Sequence, residues 1–142
     1  MLRAVFDTNV LVSSVLLNES KPAQAIRAWR EQRYLLVTSP ALIRELRSTL
    51  GYEHIRRKYN LTERDVDEVI ALLENDAIIV PGVADVWGAV PNDPDDAHVL
   101  ACAVDGQVDV IVSGDHDLLD LGVFKNIPIV TVRDFLDLLP GG

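Results

Sequence analysis

The stretch LRAVFD at residues 2–7 is a mainly apolar run that stops at a carboxylate, and VDVIVSGD at residues 108–115 repeats the arrangement. Short apolar runs of this kind are typical of strands buried on both faces of a parallel sheet. The carboxyl ends of parallel strands meet at one edge of the sheet, where open α/β proteins bind their ligands. We therefore expect Asp7 and Asp115 to lie close together at that edge.

Helices separate these two strands from three others. The other strands are predicted from their composition at residues 34–38, 77–80 and 127–132. Helices are predicted to begin near Ser20, Ser39 and Thr62, at Asp95 or Asp96, and at Arg133. The alternation predicts an α/β fold, a three-layer α/β/α sandwich with a parallel sheet of about five strands, as a single domain over residues 1–142.

The composition is that of a globular protein, with 49% hydrophobic and 25% charged residues over a length of 142. No apolar run reaches the length of a membrane span, and the N-terminus lacks the pattern of a secretion signal. The single cysteine, Cys102, excludes an internal disulfide and lies among apolar residues, which favours a buried position. We expect a cytoplasmic protein with no membrane contact.

The net charge of −9 argues, at face value, against binding to nucleic acid, because proteins that bind nucleic acid usually carry a basic field. That argument is weakened if several of the charges belong to a metal site, since bound cations would reverse the sign of the local field. Charge alone therefore does not decide the partner.

Two further acids are expected at the same edge as Asp7 and Asp115. Asp96 begins the helix that leads into the fourth strand, and such a helix runs antiparallel to the strands, so its first turn lies at their carboxyl ends. Glu45 lies about one and a half turns into the helix after the second strand, within reach of the same edge. Four acids that are distant in sequence are thus predicted to converge.

Carboxylates packed this closely repel one another, and a hard divalent cation such as Mg²⁺ or Mn²⁺ would compensate for the repulsion. For any single acid the alternative is a helix cap or a solvated charge, which is the interpretation favoured for Asp95 alone. Asp7 ends an apolar strand, where a buried lone carboxylate is so costly that a functional role is favoured. His98 and His116 lack the spacing of a zinc site, which leaves them as bystanders or, at best, substrate contacts.

Motifs along almost the whole chain resemble the PIN domain. They are Asp7-Thr8-Asn9-Val10, the lone Glu45, Asp96 heading a helix with Ala101 and Ala103, and Ser113-Gly114-Asp115-His116-Asp117-Leu118. The last motif and the approach to Asp96 are most similar to bacterial and archaeal PIN proteins classed as toxins of toxin–antitoxin pairs. The resemblance implies a ribonuclease dependent on Mg²⁺ or Mn²⁺ that hydrolyses RNA, usually as a homodimer and with an antitoxin as partner.

The resemblance also implies a role for individual residues. The catalytic and metal-binding acids would be Asp7, Glu45, Asp96 and Asp115, with Asp117 as an auxiliary ligand. Asn9 and Ser113 would orient the carboxylates by hydrogen bonds. Arg44 and Arg47 would bind the RNA backbone, together with the basic run Arg56–Lys58 unless that run is an ordinary exposed loop. The number of ions, one or two, and the RNA that is cut stay open.

The third acid has competitors. Asp93, Asp95 and Asp96 all precede the helix that carries Ala101 and Ala103. Counting back from the two alanines favours Asp96, and Asp93 stays an alternative.

The sequence leaves three alternatives to the ribonuclease. A haloacid-dehalogenase-like phosphatase would use Asp7 as nucleophile, but it needs a second aspartate at the position of Asn9 to exchange a proton. A phospho-acceptor receiver domain needs paired acids after the first strand and a lysine after the last, and neither is present. The third alternative is a PIN module that binds RNA or protein without catalysis.

Overall fold

The computed structural model describes residues 1–86 and 96–140, in which eight helices and six strands are found. The strands are β1 (Arg3–Phe6), β2 (Leu35–Thr38), β3 (Ile78–Ile79), β4 (Val110–Val112), β5 (Val123–Phe124) and β6 (Ile127–Val130). The helices are α1 (Thr8–Leu16), α2 (Lys21–Arg30), α3 (Pro40–Leu50), α4 (Glu53–Tyr59), α5 (Glu63–Asp76), α6 (Asp96–Gly106), α7 (His116–Leu121) and α8 (Val132–Leu138).

The strands form one sheet in the order β3-β2-β1-β4-β6-β5, with every pair parallel except β5 and β6. The chain builds outward from β1 to β2 and β3, and then crosses to the other side of β1 to add β4 and β6. Val5 in β1 accordingly pairs with Val37 on one side and Ile111 on the other. The gap between the carboxyl ends of β1 and β4 is therefore a topological switch point, the usual ligand position in an open α/β sheet.

An apolar core lies on each face of the sheet. Phe6 belongs to one core, where its ring makes edge contacts with Phe135 and packs against Tyr34. Val5, the preceding residue in the strand, belongs to the other core, because successive side chains of a strand point to opposite faces. Two cores separated by one sheet confirm the predicted α/β sandwich. Cys102 is buried in the second core, and this burial raises the pKa of its thiol to about 12.

The sixth strand was not expected from the sequence. Val123–Phe124 is only two residues long and pairs antiparallel with β6 through the turn residues Lys125 and Asn126. Both turn residues have positive φ, 47° and 67°, as a two-residue type I′ hairpin requires. The usual sequence signal for such a turn, Asn-Gly or Asp-Gly, is missing here. The predicted parallel sheet is thus confirmed, with one short antiparallel strand added at this edge.

Two predicted loops contain helices. The polar segment at residues 51–60 forms α4, a helix with no buried residue, and therefore no apolar stripe marks it in the sequence. It ends at Asn60, which adopts the left-handed conformation. The second helix is α7, which begins within the motif at residues 113–118, because Asp115 caps it by accepting a hydrogen bond from the backbone N–H of Asp117 at 2.9 Å. Among the helices in the described ranges, none is both long and apolar enough to cross a bilayer.

Candidate metal centre

Asp7 is a buried carboxylate at the switch point. Its backbone N–H donates to the carbonyl of Val112 at 2.9 Å, which ties the end of β1 to the end of β4. The residue occupies the N-cap position of α1, but its side chain does not cap the helix. Aspartate is among the best capping residues, so its use here without a cap bond indicates another role for the carboxylate.

The hydroxyl of Ser113 connects two of the acids. Its Oγ donates to Oδ2 of Asp7 at 2.9 Å and accepts the backbone N–H of Asp115 at 3.0 Å. Ser113 is fully buried, so solvent does not compete for these hydrogen bonds. One side chain thereby fixes the carboxylate that follows β1 and the backbone of the acid that follows β4.

Asp96 is the third acid at this edge. It is the first residue of α6 and is 4% exposed. One carboxylate oxygen each from Asp7, Asp96 and Asp115 lies within 4.8 Å of the other two. The competing candidates Asp93 and Asp95 lie outside the described residues.

Glu45 is held against the same cleft by two neighbours. The hydroxyl of Thr8 donates to Oε2 of Glu45 at 2.7 Å. The other carboxylate oxygen, Oε1, contacts Nδ1 of His98, which lies on α6 two residues after Asp96. His98 is therefore not a bystander, as its spacing in the sequence suggested, but a direct neighbour of one of the acids.

Burial dominates the electrostatics of Asp7. The loss of hydration raises the pKa of its carboxyl, and the negative charges of Asp115 and Glu45 raise it further. The hydrogen bonds from Ser113 and from the backbone N–H of Thr8 oppose this rise without cancelling it. The ionised carboxylate is therefore destabilised unless a positive charge lies beside it. An all-oxygen set of closely spaced carboxylates fits a hard divalent cation such as Mg²⁺ or Mn²⁺.

These acids open onto a cleft of about 280 Å³. The residues that line it are Asp7, Thr8, Asn9, Glu45, Ser48, Thr49, Tyr52, Asp96 and Asp115. The spacing from Glu45 through Ser48 and Thr49 to Tyr52 is that of one face of a helix. The α3 helix thus forms one wall of the cleft, and the turns after β1 and β4 form its floor.

Glu45 lines the cleft but is not one of the three grouped carboxylates, and four more of the predicted site residues lie apart from them. Asn9 lines the cleft but is exposed, and within the described ranges its side chain makes no hydrogen bond to the acids. Asp117 is exposed, and the bond to Asp115 comes from its backbone. Arg47 is paired with Asp67 at 3.1 Å on the surface. Neither Arg44 nor Arg47 is among the residues that line the cleft.

The sequence pattern did not indicate the contacts of Thr8 and His98 with Glu45 or the position of Tyr52 at the cleft. Thr8 directly follows Asp7, so its position was available from the motif, but its bond to Glu45 spans 37 residues and depends on the approach of α3 to α1. The contact between His98 and Glu45 spans 53 residues, across two different helices. The apolar periodicity of the sequence predicts neither of these two contacts.

A family model described as the PIN domain matches residues 3–117 of this chain, a range that includes Asp7, Glu45, Asp96 and Asp115. The chain belongs to the PIN domain family. The match spans both strands that flank the switch point and ends at α7, so the acidic cleft lies wholly within the PIN domain. A search among curated proteins found no significant sequence match.

Two solved structures share the fold of this PIN domain. One is VapBC2 from Rickettsia felis bound to a DNA fragment from its promoter, with a TM-score of 0.62 and 9% sequence identity over 92% of this chain and 98% of that one. The other is VapC20 from Mycobacterium tuberculosis, described as a toxin that cleaves the sarcin–ricin loop, with a TM-score of 0.59 and 16% identity over 88% of this chain and 98% of that one. At these identities the likeness establishes the fold alone.

Proposed function

We propose that this PIN domain hydrolyses RNA phosphodiester bonds with the help of Mg²⁺ or Mn²⁺. The observation that carries the proposal is the group of three carboxylates, from Asp7, Asp96 and Asp115, whose oxygens lie within 4.8 Å of one another at the switch point. Two of the three residues are buried, and the cleft above them is open. A buried acidic group of this kind needs a cation, and an open cleft admits a polyanion that the cation can bridge.

The residues of the chain would hold and orient the reacting groups. A divalent ion held by Asp7, Asp96 and Asp115 would neutralise phosphate charge and supply an acidified water for hydrolysis. Ser113 keeps one oxygen of Asp7 in a fixed direction, and Thr8 does the same for Glu45. Glu45 would complete the set of acids from the α3 wall. Asp117 remains a proposed auxiliary ligand, which would have to turn toward the cleft.

We further propose that the protein is the toxin of a toxin–antitoxin pair. The support is the fold shared with VapBC2 and VapC20, which extends over 98% of each of those chains. An antitoxin needs a surface to bind, and an apolar groove is present between α1, α2, α3 and α5. Its apolar lining residues are Leu11, Val15, Ile26, Trp29, Leu46, Val69, Leu72 and Leu73. A homodimer is part of the same proposal and is tested by measuring the mass of the protein in solution.

The nuclease proposal is tested by incubating the purified protein with single-stranded and structured RNA in the presence of Mn²⁺, Mg²⁺ or EDTA. Cleavage is expected only with the metals, and it should be lost in Asp7→Asn and Asp96→Asn. Asp137→Asn, the same substitution at an exposed position of α8, is the matched control and should cut as the wild type does. The proposal fails if the wild type never cuts RNA or if the Asp7 and Asp96 variants cut equally well.

A second assay separates the ribonuclease from the phosphatase alternative. Release of phosphate from a small phosphomonoester, without cleavage of RNA, would support the phosphatase. The toxin role predicts that expression of the wild type arrests growth, that Asp96→Asn does not, and that a protein encoded beside this chain relieves the arrest. If the purified protein cuts RNA but its expression does not arrest growth, the ribonuclease proposal stands and the toxin role is refuted.

A further inference from the structure

An exposed pair of aromatic rings stands at the rim of the acidic cleft. Tyr52 lies between α3 and α4, is 51% exposed and lines the cleft together with the acids. Its ring is stacked on that of His54, with 5.8 Å between the ring centres and 17° between the ring planes. His54 is itself exposed. The two rings therefore support each other at the surface and are not part of either core.

The local structure does not explain why a tyrosine occupies this position. Tyr52 is the N-cap residue of α4, but its side chain makes no capping hydrogen bond. Helix caps favour Ser, Thr, Asp and Asn, so a cap alone would not select an aromatic residue. A large, half-exposed ring also gains little from burial, and α4 has no buried residue for it to support. Apart from its stacking on His54, the ring is therefore free to contact a ligand bound at the cleft.

The charges around the cleft leave an RNA chain with few cations to bind. Among the described basic residues of α3 and α4, three are paired with acids on the surface. These pairs are Arg47 with Asp67, Arg56 with Glu63, and Arg57 with Glu53. The cleft itself carries four acids, and the whole chain has a net charge of −9. An RNA substrate would therefore need an uncharged contact in addition to a metal-bridged phosphate.

Stacking on an aromatic ring is such a contact. Single-stranded nucleic acids bind proteins largely by stacking bases on Tyr, Phe, Trp or His, and this stacking tolerates any base because each has a π-face. It does not require a basic surface. Tyr52 and Glu45 both line the cleft, together with Ser48 and Thr49, so a nucleotide held at the acids would place a neighbouring base near the ring.

We propose that Tyr52, supported by His54, is a stacking platform for one nucleobase of a single-stranded RNA whose adjacent phosphate reaches Asp7, Asp96 and Asp115. The inference rests on the proposed function only in taking RNA as the substrate. It adds that the enzyme selects unpaired nucleotides beside the cleavage site, because a base in a duplex cannot leave its stack to lie on Tyr52 without being unpaired. The contact predicts a substrate class and no particular base.

The experiment compares four combinations of protein and RNA. Wild type and Tyr52→Ala are each titrated with a fluorescent single-stranded RNA and with the same RNA lacking one base beside the cleavage site, with Ca²⁺ in place of Mg²⁺. Removing the base should weaken binding to the wild type about 5- to 150-fold, the range that corresponds to stacking of one base. The same removal should have no effect on Tyr52→Ala, because the ring that it contacts is already gone.

Two further variants separate stacking from a general effect on folding. Tyr52→Phe keeps the ring and should keep the sensitivity to base removal, whereas His54→Ala should reduce it by a smaller factor than Tyr52→Ala. Circular dichroism and thermal unfolding show whether α4 is preserved in each variant. If the base-free RNA is penalised equally by wild type and Tyr52→Ala, or if Tyr52→Phe behaves like Tyr52→Ala, the platform is refuted.

The outcome is also distinguishable from failure of the nuclease proposal. A wild type that binds RNA with the expected dependence on the base, but never cuts it with Mn²⁺, would keep the platform and refute the ribonuclease. A wild type that cuts RNA with no dependence on Tyr52 would keep the ribonuclease and refute the platform.

Discussion

The hydroxyl of Ser113 donates a hydrogen bond to Oδ2 of Asp7 at 2.9 Å, joining two residues that lie 106 positions apart in the chain. The hydroxyl oxygen of Ser113 also accepts a hydrogen bond from the backbone N–H of Asp115 at 3.0 Å. Ser113 therefore sets the direction of one carboxylate and the position of the loop that carries another. Groups that orient metal ligands in this way contribute to metal affinity through the ligands that they position.

Replacing Ser113 with alanine should therefore weaken the metal site more than the fold. We expect Ser113→Ala to lower Mn²⁺ affinity about 10- to 100-fold, the effect typical of residues that support metal ligands. Calorimetric titration of the metal-free protein measures it. Ser14→Ala, which removes a hydroxyl bonded to the carbonyl of Leu11 in α1, is the control and should bind Mn²⁺ as the wild type does. Unchanged affinity in Ser113→Ala would show that the hydroxyl does not position Asp7.

The raised pKa of Asp7 makes a prediction about stability. A carboxyl whose pKa is higher in the folded state than in the unfolded state stabilises the fold when it is protonated. This stabilisation is complete below the unfolded pKa of about 3.9 and is lost as the pH rises through the folded pKa. At neutral pH without metal, the buried Asp7 carboxyl therefore lowers the stability of the fold. Asp7→Asn should therefore raise the melting temperature in EDTA, by about 2–4 °C for each kcal/mol of relief.

The pH dependence provides the control for that measurement. The advantage of Asp7→Asn should grow as the pH rises above about 4 and should shrink below it, since wild-type Asp7 is then neutral. Asp137→Asn, at an exposed position of α8, should shift the melting temperature little at any pH. With saturating Mn²⁺ the order should reverse, because only the wild type gains the binding energy of the ion. A lower melting temperature for Asp7→Asn in EDTA would contradict the argument.

Thr8 supports Glu45 through a single hydrogen bond, and the substitution that tests it preserves the shape of the side chain. Thr8→Val removes the hydroxyl that donates to Oε2 at 2.7 Å. We expect Thr8→Val to lower the rate of RNA cleavage about 10- to 100-fold, because Glu45 loses one of its two neighbours. Thr8→Ser keeps the hydroxyl and should stay close to the wild type. Equal rates for the two variants would assign the effect to packing and not to the hydrogen bond.

The positions of Asp7 and Asp115 could be predicted from the sequence because Asp7 directly follows one apolar strand and Asp115 lies in the short turn after another. A strand end is defined locally, and the carboxyl ends of parallel strands share an edge whatever their order in the sheet. Asp96 could be placed from the direction of its helix. The contacts of Glu45 could not be predicted, since Thr8 and His98 reach it across gaps of 37 and 53 residues. These contacts depend on how far α3 and α6 shift over the sheet, which a pattern of apolar residues does not specify.

The failures at α4 and β5 have a related cause. Helix and strand prediction depends on which residues are buried, and α4 buries none. Its surface carries an ion pair between Glu53 and Arg57, four residues apart, a contact that an apolar pattern does not record. The strand β5 has two residues, too few to show alternation. Elements that contribute little to the core leave little trace in the sequence, although α4 begins at the aromatic pair that we propose binds the substrate.

The packing of α6 on the sheet makes the last prediction, because α6 carries both Asp96 and His98. Gly106, at the C-terminal end of this helix, is buried against β2, and a Cβ at this position would lie 2.6 Å from Cγ1 of Val37. Atoms do not approach so closely, so Gly106→Ala should push the helix from the sheet and destabilise the fold by about 1–3 kcal/mol. Denaturant unfolding measures the loss.

A second substitution tests whether that particular contact is responsible. Val37→Ala removes the opposing methyl groups and, alone, leaves a cavity that lowers stability. In the double variant the new alanine methyl occupies part of that space, so the combined loss should be smaller than the sum of the two single losses by at least about 0.5 kcal/mol, as for residues in direct contact. Strictly additive losses would mean that α6 accommodates the methyl group elsewhere, and that the position of Asp96 does not depend on Gly106.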